Sequence, residues 1–142
     1  NIKKGLAKVV KNTGILGRWQ ILSESPKIIC DVGHNEDGIK EIVTQLNKLK
    51  YKKLHFVYGT VNDKNFDRIL SLLPKDAKYY FCKPNIQRGL SAEDLQRKAK
   101  KYQLLGNAFD SVDNAICRAK ENQKKEDILF IGGSTFVVAE VL

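Results

Sequence analysis

An α/β fold is what this sequence predicts, on three observations. Short apolar runs bounded by charged or turn residues alternate with longer amphipathic segments along most of the chain. The spacing leaves room for a covering helix between successive strands, which is the requirement for a mostly parallel sheet with both faces covered. Hydrophobic residues make up 42% of the 142 residues, enough for the core of one domain and too many for a disordered tail.

The elements follow in order. Residues 2–10 place Leu6, Val9 and Val10 at helical spacing, and Asn12-Thr13-Gly14 breaks that pattern. Residues 1–11 are therefore expected to be the end of a linker or helix from a preceding domain, and 12–142 the domain itself. A short strand over 18–22 and a tight turn over 23–26 give an antiparallel start. Residues 27–31 form a buried strand, Ile-Ile-Cys between Lys27 and Asp31. An amphipathic helix over 36–49 lines up Ile39, Ile42, Val43, Leu46 and Leu49 on one face. A strand over 54–58 and a helix over 66–73 follow, the helix closed by Pro74. A strand over 78–82 leads to a helix over 91–101, whose Ser91-Ala92-Glu93-Asp94 start resembles a capping box. A short strand over 107–109, a helix over 111–124, a strand over 128–132 and a helix over 134–142 complete the series. The expectation is a Rossmann-like, mostly parallel sheet of about six strands, with an antiparallel first strand and helices on both faces.

The chain carries 25 Lys+Arg against 16 Asp+Glu, a formal net charge of +9. Lysine supplies 20 of those cations and arginine only 5. Surfaces that read nucleic acid lean on arginine's planar fork, so no nucleic-acid partner is expected. The lysines concentrate in 40–53, 98–101 and 120–125, on expected helix faces and ends in contact with solvent. No apolar run approaches the roughly 20 residues of a membrane span, and no signal-like segment is visible, so a cytoplasmic protein without a membrane partner is expected. The first residue is Asn1 rather than Met, and the chain reads as a piece of something longer. Cys30, Cys82 and Cys117 are odd in number and none has C-x-x-C spacing, which argues against a disulfide framework and a zinc site. All three lie in apolar contexts and are expected to be buried, reduced thiols.

In such sheets ligands bind beyond the carboxyl ends of the strands, so the loops after Asp31, Tyr58, Cys82 and Gly132 carry the chemistry. Asp31-Val32-Gly33-His34-Asn35 ends a buried strand and opens a helix. Asp31 is expected to project its carboxylate into the crevice, where it can accept from a ribose hydroxyl. His34 and Asn35 fall at the helix N-terminus, where free backbone N–H groups favour an anion; the same loop also reads as a structural turn with Asn35 as N-cap. In Gly17-Arg18-Trp19-Gln20, Arg18 reaches the same crevice if the first two strands are neighbours, and a guanidinium there suits a phosphate. Gly59 allows close approach after the next strand, with Asn62 or Asp63 capping the helix that follows. Ile131-Gly132-Gly133-Ser134 reads either as a small anion cradle or as a Gly-Gly turn with a serine cap. His55, inside a strand, is expected in the core, and Arg88 on the surface. Neither G-x-x-x-x-G-K-[ST] nor G-x-G-x-x-G occurs.

Taken together, these motifs resemble the C-terminal domain of the Mur ligase superfamily, and within it the folylpolyglutamate synthase/dihydrofolate synthase family. That family reads P-G-R-[FW]-[EQ] and then D-[GV]-[AG]-H-N, and here Leu16 stands where the proline usually does. Gly59–Lys64 resembles its G-x-x-x-D-K-D element, with Asn65 in the last place. The stretch from Arg88 to Leu95 resembles R-x-x-S-A-E-E-L, and Gly132-Gly133-Ser134-Thr135-Phe136 resembles G-S-x-[YF]. The peptidoglycan members tend to show G-R-M-[EQ] and a proline after the H-[TN] pair, and this chain has neither.

The resemblance implies one half of an ATP-dependent amide ligase. The family activates the carboxylate of dihydropteroate or a folate as an acyl phosphate, which the amine of L-glutamate attacks. The phosphate-binding loop, the Mg²⁺ ligands and most of the folate site belong to an N-terminal ATPase domain that these residues do not include, so no metal ligand is expected here. By the same resemblance Arg18 contacts ATP phosphate and Asp31 the nucleotide, at its ribose. His34 and Ser134 match positions of glutamate handling or of the reaction itself. Asn35, Asp63 and Lys64 match motif positions without assigned chemistry. Expected partners are ATP, dihydropteroate or folate, L-glutamate and the preceding domain of the same chain, in a monomer. A peptidoglycan Mur ligase domain and a non-catalytic α/β binding module are the alternatives. A phospho-receiver domain is not one, because Asp31 lacks an acidic partner and Cys82-Lys83-Pro84 stands where an acceptor aspartate would be needed.

Overall fold

The computed structural model describes residues 17–61 and 66–142. The expected helix end over 2–10, and Asn62, Asp63, Lys64 and Asn65, lie outside the described residues.

Among the described residues, six strands form one sheet: β1 (Gln20–Glu24), β2 (Lys27–Asp31), β3 (Leu54–Tyr58), β4 (Ala77–Phe81), β5 (Gly106–Ala108) and β6 (Ile128–Gly132). Their order is β1-β2-β6-β3-β4-β5. β1 pairs antiparallel with β2, and the other neighbours are parallel. The described helices are α1 (Glu36–Asn47), α2 (Phe66–Leu72), α3 (Ala92–Lys100), α4 (Val112–Asn122) and α5 (Thr135–Ala139). The expected fold class is thus the observed one.

Strand periodicity sorts the core into two layers. Ile29, Phe56, Tyr58, Tyr79, Phe81 and Phe130 face α1, α2 and α3, meeting Ile39, Ile42 and Leu46, then Phe66, Ile69 and Leu70, then Leu95 and Ala99. Cys30, Val57, Tyr80, Leu129 and Ile131 face α4 and α5, meeting Val112, Ala115, Ala119, Val137 and Val138. β6 is buried along its whole length, as the central position of a two-faced sheet requires.

This topology places the crevice. β2 and β6 are neighbours, but the helix after β2 packs on one face and the helix after β6 on the other. Their connections diverge at the carboxyl edge, which is the switch point where open α/β sheets bind ligands.

Beyond shifts of one or two residues at other element ends, four details differ from expectation. β1 starts at Gln20 rather than at residue 18, because Gly17 (φ 88°) and Trp19 (φ 44°) turn the backbone left-handed just before it. Pairing then persists to Glu24↔Lys27, so the turn is tighter than 23–26. The last helix is only Thr135–Ala139, with Ser134 as its cap, and its final turn tightens into i→i+3 bonds from Glu140 to Val137 and Val141 to Val138. Cys117 is exposed, which corrects the expectation of three buried thiols. Ala115 and Ala119 face the sheet, and Cys117, two residues from each, lies about 200° around the helix from both.

Candidate active site at the β2–β6 crevice

The Gly17-Arg18-Trp19-Gln20 turn is a small closed structure. Gly17 N–H donates to Gln20 Oε1 at 3.1 Å, and Gly17 O accepts from Val32 N–H at 2.8 Å. The left-handed φ of Gly17 suits glycine, and a Cβ there would stand 2.8 Å from Val32 Cγ1. Trp19 takes the same rare conformation with a side chain. Its ring packs on the core, 6.1 Å from the Phe130 ring, and its N–H donates to Asp31 Oδ2 at 2.8 Å. Arg18 projects between these fixed points and is exposed.

Asp31, half-buried at the end of β2, joins this turn to the loop that follows. Its second oxygen, Oδ1, accepts from Gly33 N–H at 2.7 Å. The carboxylate therefore bridges two backbone segments while still lining the crevice; each oxygen keeps a second lone pair for a ligand hydroxyl. Asn35 is the N-cap of α1, its Oδ1 accepting from Gly38 N–H at 2.7 Å. Glu36 and Asp37 occupy the first turn, so the helix N-terminus already has its negative charge from the chain itself. The positive charge that an anion would meet in this crevice comes from Arg18 instead. His34 is exposed, with Nδ1 3.4 Å from Val32 O.

Arg18, Trp19, Asp31, Gly33, His34 and Asn35 line one cleft of about 500 Å³. The structure thus brings three of the four expected site residues together: Arg18, Asp31 and His34. Ser134 does not line that cleft. It is buried, and its Oγ accepts from Val137 N–H at 3.1 Å as the cap of α5. The next residue, Thr135, is the one from that loop that reaches the cleft. Gly133 (φ 107°) makes the turn, where a Cβ would stand 2.3 Å from Gly59 O.

The far wall of the cleft is a polar stripe on α1 that the sequence reading passed over: Asp37, Glu41 and Gln45, with Gln45 Nε2 donating to Glu41 Oε1 at 3.2 Å. Its signal was present, since these residues recur every four positions beside the apolar stripe. Arg88 is exposed and lines a separate cleft with Ser91 and Asp94, and His55 is in the core, each as expected. Among the described residues, no group of three or more His, Cys, Asp or Glu side chains is placed to hold a metal ion, and no helix is long and apolar enough to cross a membrane.

Comparison with known proteins decides the family. The model for the Mur ligase, glutamate ligase domain matches residues 17–135. The chain belongs to that family. Within it, the chain is 33% identical over 145 residues to the dihydrofolate synthase/folylpolyglutamate synthase of Escherichia coli K12, covering 99% of this chain and 32% of that enzyme. The solved E. coli FolC in complex with DHPP and ADP superposes with a TM-score of 0.80 at 33% identity, over 88% of this chain and 30% of FolC. A bifunctional folylpolyglutamate synthase/dihydrofolate synthase with Mn, AMPPNP and L-glutamate bound gives 0.79 at 27% identity, over 89% and 30%. This glutamate ligase domain thus spans about a third of the length of these relatives.

Proposed function

We propose that this glutamate ligase domain is the closing half of an ATP-dependent ligase that joins L-glutamate to the carboxylate of dihydropteroate or a folate through an acyl phosphate. The observation that carries this reading is the convergence of Arg18, Asp31 and His34 on one crevice between β2 and β6. Relatives solved with ADP, or with AMPPNP, Mn and L-glutamate, support the substrate classes.

Each residue then has a task. Arg18 stabilises the negative charge that develops as the phosphoryl group moves from ATP to the carboxylate. Asp31 accepts from the ribose with its remaining lone pairs while its N–H bonds keep the two loops together. His34 projects into solvent at the cleft and either holds glutamate's carboxylates or takes the proton from its attacking amine. Ser134 acts from beneath, by capping the helix whose first residue, Thr135, faces the substrates. A preceding ATPase domain closes over this crevice, excludes water and lets the acyl phosphate survive until the amine arrives. By the family resemblance the Mg²⁺ ligands belong to that other domain; among the described residues no three His, Cys, Asp or Glu side chains are grouped to hold an ion, and no step here runs through it. The enzyme works in the cytoplasm as a monomer, a setting in which Cys30 and Cys82 stay reduced.

The test is Arg18→Ala in the full-length ligase. Glutamate-dependent ADP release should fall by about 10²–10³-fold, the usual loss of a transition-state charge donor, with an unchanged melting temperature. Near-normal turnover would reject the site. The 142 residues alone should release no ADP.

A further inference from the structure

We propose that Gln20 is a positioning residue for Arg18: its amide oxygen, outside the cleft, fixes the turn from which the guanidinium projects. The inference rests on the reading of Arg18 given above and adds a residue that touches no substrate.

Arg18 stands between two residues in the left-handed region, Gly17 at φ 88° and Trp19 at φ 44°. For a tryptophan that conformation is strained and persists only where the surroundings over-determine it. Three bonds do so here. Val32 N–H donates to Gly17 O, Trp19 N–H donates to Asp31 Oδ2, and Gly17 N–H donates to Gln20 Oε1. The first is backbone to backbone. The second uses a carboxylate that itself lines the cleft. Only the third is made by a side chain absent from the cleft lining.

Without that acceptor, Gly17 N–H loses its protein partner and the segment is free to relax toward the extended strand it adjoins. Arg18 is long and exposed, so a small rotation at its Cα sweeps the guanidinium through several ångströms. Misplacing a catalytic group by about 1 Å can cost 10²-fold. The role needs only an acceptor oxygen at this distance, which glutamate also provides and leucine does not.

The experiment measures steady-state ligation in the full-length enzyme for Gln20→Leu, Gln20→Glu, Arg18→Ala and the Gln20→Leu/Arg18→Ala double variant. Gln20→Leu should lower kcat about ten- to hundredfold with KM for glutamate unchanged. Gln20→Glu should stay within about twofold of wild type. In the Arg18→Ala background, Gln20→Leu should have no further effect, because the group it positions is gone. Wild-type kcat in folded Gln20→Leu, or losses that multiply in the double variant, would overturn the inference while leaving the role of Arg18 intact. Normal turnover in Arg18→Ala would overturn the site reading, and Gln20 would have nothing to position. Should Gln20→Leu not fold, Gln20→Ala replaces it; a Gln20→Glu as slow as either would also reject the mechanism.

Discussion

Two aspartate–histidine sets sit at opposite ends of this sheet and behave in opposite ways. At the amino end, His55 and Asp127 are both buried. His55 Nε2 lies 2.9 Å from Asp127 Oδ2 and its Nδ1 2.8 Å from Tyr80 Oη, while Lys124 N–H donates to the same Asp127 oxygen at 3.0 Å. A ring carrying its proton on Nε2 donates to the carboxylate and accepts from the tyrosine, so both nitrogens are used inside the protein. At the carboxyl end, Asp31 binds, among the described residues, only backbone N–H groups, and His34 stays exposed at the cleft. The residue types are the same. What separates a structural pair from a candidate catalytic one is whether the partners are exhausted within the fold.

The largest expected effect breaks the amino-end set. Asp127→Ala leaves the His55 ring nitrogen and Lys124 N–H without their acceptor, a cost on the order of 3 kcal/mol, read as a lowered urea midpoint at unchanged slope. A loss below about 0.5 kcal/mol would mean the network holds nothing together. The converse substitution sharpens the contrast. His34→Ala should lower ligation in the full-length enzyme by about 10²-fold while stability moves by no more than about 0.5 kcal/mol. If His34→Ala unfolds the domain, the division between the two histidines is wrong.

Acid gives a smaller effect with a definite sign. Burial alone would raise the Asp127 carboxyl, but Lys124 N–H, the His55 ring and the Lys53 charge outweigh it and hold it below its ordinary value of 3.8. A carboxyl lowered by folding contributes stability that is present above the unfolded value and lost as pH falls through the folded one. The wild-type urea midpoint should therefore drop as pH falls below about 4, and Asp127→Asn, less stable at neutral pH, should show a shallower drop over that interval. Equal slopes would assign the acid sensitivity to other carboxyls.

The sequence carried the architecture because periodicity reports burial directly. Lys27–Asp31, Leu54–Tyr58 and Ile128–Gly132 were legible to the residue, being short, mostly apolar runs bounded by charge or glycine. The insertion of β6 between β2 and β3 was not, since a strand's place in a sheet depends on contacts distant in sequence. That Arg18, Asp31 and His34 share one cleft was legible in part: Asp31 and His34 flank one predicted strand end, while Arg18 joins them only once β1 pairs with β2, and the family resemblance named all three. Ser134 was not separable from them: a serine after two glycines reads alike as an anion contact and as a helix cap, and only its burial distinguishes the two. Gln20 was legible as the last position of its motif but not as the partner of Gly17, because that bond exists only once the backbone takes two left-handed residues.

Thiol reactivity tests whether the floor of the site is as closed as the burial implies. Cys30 directly precedes Asp31, and burial followed by the Asp31 charge pushes its thiol up to about 12. Cys82, buried one residue beyond β4, is likewise pushed up to about 12, by burial and then the Glu140 charge. Thiolate is the reactive form, so at pH 8 both should resist a disulfide reagent until the protein unfolds. Cys117 is exposed on α4 and should react at once, giving one fast thiol per chain. Cys117→Ser should abolish the fast phase and change stability by less than about 0.5 kcal/mol. If Cys30 reacts as fast as Cys117 under native conditions, β2 opens at the point where Asp31 must hold two loops together. The fixed Arg18–Asp31 geometry would then not survive in solution, whereas a single fast thiol means that this end of the strand stays shut.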